Sequence, residues 1–228
     1  MISKKVSILL FSMLLSVNAQ LQETRSGLPC GEPVTDTRDG QIYSTILIGD
    51  QCWMAKNLNI GQIVSDFGQT DNGIIEKTCY GNNARNCHQY GGLYTWHEAM
   101  NWSTEDGHQG ICPAGWRLPS RKDWKELVSH LGVDDAGQQM KVSRNNDPAW
   151  DGTNESGFSA IPGGVGHRSY FGRQGDWAVF WSSTEVDDDY AWFAQLDNYW
   201  YTAPPKYKIL YIGDHFLKEN GFSVRCIR

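Results

Sequence analysis

Six cysteines, Cys30, Cys52, Cys79, Cys87, Cys112 and Cys226, constrain this chain more than any other feature. Their meaning depends on the N-terminus. Lys4 and Lys5 precede an apolar run over residues 6–15, and Val17-Asn18-Ala19 offers small residues for cleavage. The pattern predicts a secretory signal peptide over residues 1–19, and the apolar run is too short to span a bilayer in the usual way. In an exported chain an even number of cysteines reads as disulfides, although sequence alone leaves their pairing open. Zinc is the rival use of thiols, but no Cys-x-x-Cys is present and the expected compartment is oxidising.

After the signal, a polar leader is expected over residues 20–29 and one domain over residues 30–228. The formal net charge is −6, and the signal carries two of the lysines and no acid, so the mature chain is more acidic still. With no basic cluster, nucleic acid and electrostatic membrane binding are excluded as partners. No later run is long and apolar enough to be a transmembrane helix.

The clearest local signal covers residues 120–132. Ser120 suits a helix N-cap, and Asp123 is a weaker variant of the acid that closes a capping box. Trp124, Leu127, Val128 and Leu131 then recur at helical spacing, and Gly132 suits the C-terminal cap. Thr95 and Glu98 predict a second, full capping box opening a short helix to about Trp102. Residues 79–90 read as a small closed loop, and residues 133–157 as a long polar span of the kind that forms a binding loop or a covered excursion. Strands are expected over residues 42–48, 158–161, 163–171, 177–183, 190–196, 207–211 and 222–226, separated by Gly, Asp and Pro turns. Two helices, long loops and short antiparallel strands define an α+β domain.

Several blocks carry a family resemblance. Cys112-Pro113-Ala114-Gly115-Trp116-Arg117-Leu118-Pro119 followed by a Trp-bearing helix resembles the Fibrobacter succinogenes major paralogous domain. Asp39-Gly40-Gln41-Ile42-Tyr43 and Cys52-Trp53-Met54-Ala55-Lys56-Asn57-Leu58 look like its opening, and Gly91-Gly92-Leu93-Tyr94-Thr95-Trp96 like its middle. Phe158-Ser159-Ala160-Ile161-Pro162, Phe180-Trp181-Ser182-Ser183-Thr184 and Ser223-Val224-Arg225-Cys226 look like its close. The resemblance implies a secreted or surface domain and assigns no activity. It also implies the disulfide couples Cys30–Cys52, Cys79–Cys87 and Cys112–Cys226. A fainter similarity to formylglycine-generating enzymes implies a C-type-lectin-like fold. Those enzymes need a late pair of reactive cysteines, and here Cys226 is the only cysteine after Cys112, so that activity does not carry over.

No nucleophile or metal motif stands out among the six His residues, and Ser182-Ser183 is expected to serve strand hydrogen bonding. Two candidate sites remain. Glu185, Asp187, Asp188 and Asp189 share one inter-strand loop, and carboxylates this dense can hold calcium. Asp197, Asn198, Tyr199, Trp200 and Tyr201 combine rings that stack on sugar C–H faces with groups that satisfy hydroxyls. Trp96, Trp116, Trp124, Trp181 and Trp192 are assigned to the core. The expected function is an exported binding or adhesion domain whose partner is a glycan or a surface protein. The alternatives are an enzyme with an unrecognised site and a structural component of a surface assembly.

Overall fold

A long strand buried on both of its faces organises the domain. The computed structural model describes residues 29–168, 170–198 and 208–228. The expected signal and most of the expected leader lie outside these residues, as do Tyr199, Trp200 and Tyr201. Strands β1 (Val34–Thr35), β2 (Ile42–Tyr43), β3 (Thr45–Ile48), β4 (Gln51–Met54), β5 (Gln62–Val64) and β6 (Glu76–Thr78) come first. Four helices come next: α1 (Ala84–Tyr90), α2 (Trp96–Ala99), α3 (Arg121–Leu131) and α4 (Ala136–Met140). The remaining strands are β7 (Val165–His167), β8 (Tyr170–Gly172), β9 (Trp177–Glu185), β10 (Tyr190–Asp197), β11 (Tyr211–Leu217) and β12 (Asn220–Gly221).

The strands form small sheets, in the orders β11-β10-β9, β12-β7-β8, β1-β2, β3-β4 and β5-β6. All pairings are antiparallel except β5 with β6. Along β9, Val179 and Trp181 join one core cluster while Ala178 and Phe180 join the other. The first cluster takes in Trp96, Tyr94, Leu118 and Phe222. The second takes in Trp53, Trp124, Leu127, Met140 and Phe158. Strand β10 divides the same way, with Ala191 and Phe193 in the first cluster and Ala194 and Leu196 in the second. Trp192, expected in the core, is only half-buried, and the Arg121 guanidinium lies 3.7 Å from its ring centre.

Helix α3 forms as its sequence predicts. Ser120 Oγ accepts from the Asp123 amide at 3.2 Å, and Asp123 Oδ2 accepts from the Ser120 amide at 2.7 Å. Arg117 adds two further bonds to the same carboxylate, at 2.7 and 2.8 Å. Burial alone would raise the Asp123 pKa, but the bonds from Arg117 and Ser120 hold it below the usual carboxylate value. Arg117 thus belongs to the helix's N-terminal cap.

The second box closes only halfway. Thr95 Oγ1 accepts from the Glu98 amide at 3.3 Å, but the Thr95 amide donates to Gln69 Oε1 at 2.9 Å. Glu98 turns instead to β6, where it accepts from the Glu76 amide at 3.0 Å. The helix also ends at Ala99, earlier than expected, because Asn101 and Trp102 take positive φ of 49° and 62°.

Other expectations shift as well. The closed loop over residues 79–90 contains α1, capped by Asn83, whose side chain accepts from the Arg85 amide. Ser44 separates β2 from β3, so residues 42–48 form two strands where one was expected. The strand expected over residues 207–211 begins at Tyr211 and runs to Leu217. Residues 158–161 and 222–226 form isolated bridges, not strands of named sheets, including Lys141 with Ala160 and Phe180 with Ser223. The polar span over residues 133–157 is a covered excursion carrying α4. At its return, Gly152 lies so close to the Lys141 backbone that a Cβ would collide with it.

The disulfides join Cys30 to Cys52, Cys79 to Cys87 and Cys112 to Cys226. The last closes a loop of sequence separation 114. Beside it the C-terminal segment is stitched to β4, with the Met54 amide on Cys226 O at 3.0 Å and the Arg228 amide on Cys52 O at 2.9 Å. On the chain-entropy account, a loop of this size contributes about 4–5 kcal/mol.

Glu98 gives the fold a pH signature. It is 2 % exposed, and burial raises its pKa from 4.5 to about 7, with the Glu76 amide opposing. A carboxyl whose pKa is higher folded than unfolded binds its proton more tightly in the native state. Its contribution is full below pH 4.5 and is lost as pH rises through about 7. Replacing Glu98 with Gln should remove this slope. The stability of the wild type relative to Glu98→Gln, from denaturant titrations, is expected to fall by roughly 2–3 kcal/mol across that window.

Candidate binding site

Among the described residues, a cleft of ligand-site dimensions is built from three distant parts of the chain. Its volume is about 440 Å³, within the usual small-ligand range. Ile42 comes from β2 and Lys56 from the bend after β4, Gln89 and Tyr90 from α1, and Asn146 and Asp147 from the excursion. The walls are tied together by side-chain bonds. Asn57 Nδ2 donates to Tyr90 O at 2.8 Å and to Ser223 Oγ at 3.2 Å. Gln89 Nε2 reaches across to Asp147 Oδ1 at 3.2 Å. Burial and then the Asp147 charge push the Tyr90 hydroxyl's pKa up.

Arg225 underlies the cleft, 0 % exposed. Its Nε donates to Asn57 Oδ1 at 2.8 Å, and Nη1 donates to Met54 O at 3.1 Å and to Phe158 O. Nη2 donates to Ser159 O at 3.0 Å. The guanidinium carbon lies 4.5 Å from the Phe158 ring centre and 5.5 Å from that of Phe180. A single side chain therefore joins the opening segment, the excursion and the central strand.

The described residues of the two sites expected from sequence, Glu185 with Asp187, Asp188 and Asp189, and Asp197 with Asn198, do not line this cleft. These described residues belong to the β9–β10 hairpin, at opposite ends of β10. Its eight residues span about 25 Å at the usual rise per residue. At the turn, Asp187 Oδ1 accepts from the Asp189 amide at 2.9 Å and from the Tyr190 amide at 2.8 Å. The Lys218 ammonium enters from the turn after β11. It donates to Glu185 Oε1 at 2.6 Å, Asp187 O at 2.6 Å and Asp188 O at 3.2 Å. Of the four carboxylates behind the calcium expectation, the ammonium meets that of Glu185, and at Asp187 and Asp188 it meets backbone carbonyls. Among the described residues, no three His, Cys, Asp or Glu side chains are grouped to hold a metal ion.

At the other end, Asp197 O accepts from Lys141 Nζ at 3.0 Å, and Asn198 Nδ2 donates to Asp176 Oδ1 at 3.1 Å. Lys141 also pairs with Asp151 at 2.7 Å, so the excursion that walls the cleft also anchors this hairpin end. Ser182 and Ser183 do serve the strand region. Ser183 Oγ donates to Asp106 Oδ1 at 2.6 Å, and Ser182 Oγ accepts from the Thr184 amide at 3.2 Å.

Sequence reasoning did not single out Lys56, Tyr90, Asp147 or Arg225, which line this cleft. The available signal lay in the blocks containing Lys56-Asn57 and Arg225-Cys226, which were read as family marks and not as one place.

An α+β domain with three disulfides is the kind of protein that folds in an oxidising, extracytoplasmic setting, and no described helix is long and apolar enough to cross a membrane. The chain belongs to the Fibrobacter succinogenes major domain family, whose model matches residues 46–228. No curated protein and no solved structure matches it.

Lys218 offers a direct test of the acidic turn. Its side chain is 4 % exposed, so Lys218→Met strands Glu185 and two carbonyls that now face a cation. Breaking a largely buried pair from one side should cost about 3 kcal/mol, read as a lower denaturation midpoint. An unchanged midpoint would mean that the ammonium contributes nothing to holding the turn.

Proposed function

We propose that this is an exported binding domain of C-type-lectin-like fold that takes a glycan in the cleft between α1 and the excursion. The observation that carries the reading is the cleft's lining. Tyr90, Ile42 and Pro148 offer apolar surface of the kind that packs on sugar C–H faces, while Gln89, Asn146 and Asp147 offer amide and carboxylate groups for hydroxyls. Cross-wall bonds from Asn57 and Gln89 preorganise these groups, which lowers the ordering cost of binding. The signal-like N-terminus supports export, and the three disulfides agree with it.

A second surface supports the same function. Asp197 and Asn198 are tethered by Lys141 and Asp176 at a hairpin end, where Tyr199, Trp200 and Tyr201 come next in sequence. Variants separate the two surfaces. A glycan array probed with the mature protein should give hits that Tyr90→Ala weakens about tenfold or more, equivalent to about 1.4 kcal/mol, with the melting temperature preserved. Loss on Trp200→Ala alone would move the site to the hairpin end. An array without hits would overturn the glycan reading and leave a protein partner as the alternative.

A further inference from the structure

The charges around the cleft are unbalanced. Arg225 makes no ion pair among the described residues, whereas Lys141, Lys218 and Arg117 each close onto a carboxylate, at 2.7, 2.6 and 2.7 Å. Four of its N–H groups meet the oxygens of Asn57, Met54, Phe158 and Ser159, and the second N–H on Nη2 has no acceptor among the described residues. Burial lowers its pKa to about 9, which still leaves it charged at neutral pH. Carbonyl dipoles and aromatic faces solvate the guanidinium, but they do not cancel its charge. The field of such a cation is focused towards the nearest water-filled space, here the cleft.

Lys56 adds a second positive charge at the cleft. It is exposed and has no acidic partner among the described residues. Against these two cations stands one carboxylate, Asp147, already engaged by Gln89 at 3.2 Å. One net positive charge suits a monoanion better than a doubly charged phosphate. Resting on the reading of the cleft as a glycan site, we infer that its ligand is an acidic saccharide, whose carboxylate Lys56 meets in the field of the buried Arg225 charge. Tyr90 and Ile42 would then pack on the ring that bears the carboxylate.

The test is calorimetric titration of the mature protein with oligogalacturonate, oligoglucuronate and oligomannuronate, each beside its carboxyl-reduced counterpart. The acidic form of at least one should bind about tenfold or more tightly than its reduced form, and the preference should shrink in high salt. Because Arg225 is built into the core, Lys56→Met is the variant to use. It should erase the preference without moving the melting temperature. Equal binding of acidic and reduced forms, or a preference untouched by Lys56→Met, would overturn the inference and leave the glycan reading standing. Neutral glycans binding where no uronate does would have the same effect. A short peptide with a free C-terminal carboxylate binding as tightly as any uronate would also overturn it, in favour of a protein end. If no saccharide of any kind binds, both readings fall.

Discussion

The need to cover both faces of β9 dictates the rest of the domain. Its side chains alternate between two core clusters, so neither face can be left to solvent. Each buried aromatic or branched side chain contributes about 1.5–3 kcal/mol, and a strand apolar on both sides needs a layer on each. One layer comes from α2, the strand segments before it and the C-terminal segment, the other from α3 and the excursion. Polar groups inside this double layer then need internal partners. Trp96 Nε1 donates to Ser182 O and Trp181 Nε1 to Tyr94 O, both at 2.8 Å, so the largest core rings also fix the register of the layers.

The cleft is a by-product of the same arrangement. To cover the second face, the chain leaves α3, crosses over as the excursion and returns at Phe158, enclosing space between itself, α1 and the opening strands. Arg225 sits at the seam where these parts meet. A hydrocarbon there would leave the carbonyls of Met54, Phe158 and Ser159 without donors, at a cost of about 1–3 kcal/mol each. The packing therefore demands a branched donor at this position, and its charge is an unavoidable accompaniment.

Features written in contiguous residues were legible in the sequence, and features assembled across the chain were not. Ser120, Asp123 and the apolar stripe of α3 lie within twelve residues, and every bond they imply forms. The box at Thr95 misled because Gln69, from a distant loop, competes for the amide that Glu98 was expected to serve. Helix α1 was hidden among Asn residues whose capping role reads as loop composition. The acidic loop was recognisable as acidic, but nothing nearby in sequence announces Lys218, which arrives after another strand. The cleft was the hardest to see, because Lys56, Tyr90, Asp147 and Arg225 share no motif and meet only when the excursion folds back.

The acidic turn illustrates what a tethered counter-ion does. A dissolved ion occupies such a site only to the extent that its concentration and affinity permit, and it must shed water each time it enters. The Lys218 ammonium is held at full occupancy by the chain itself, between Glu185 and the carbonyls of Asp187 and Asp188. The domain thus carries a counter-charge for Glu185 within its own covalent structure. Dilution cannot remove it.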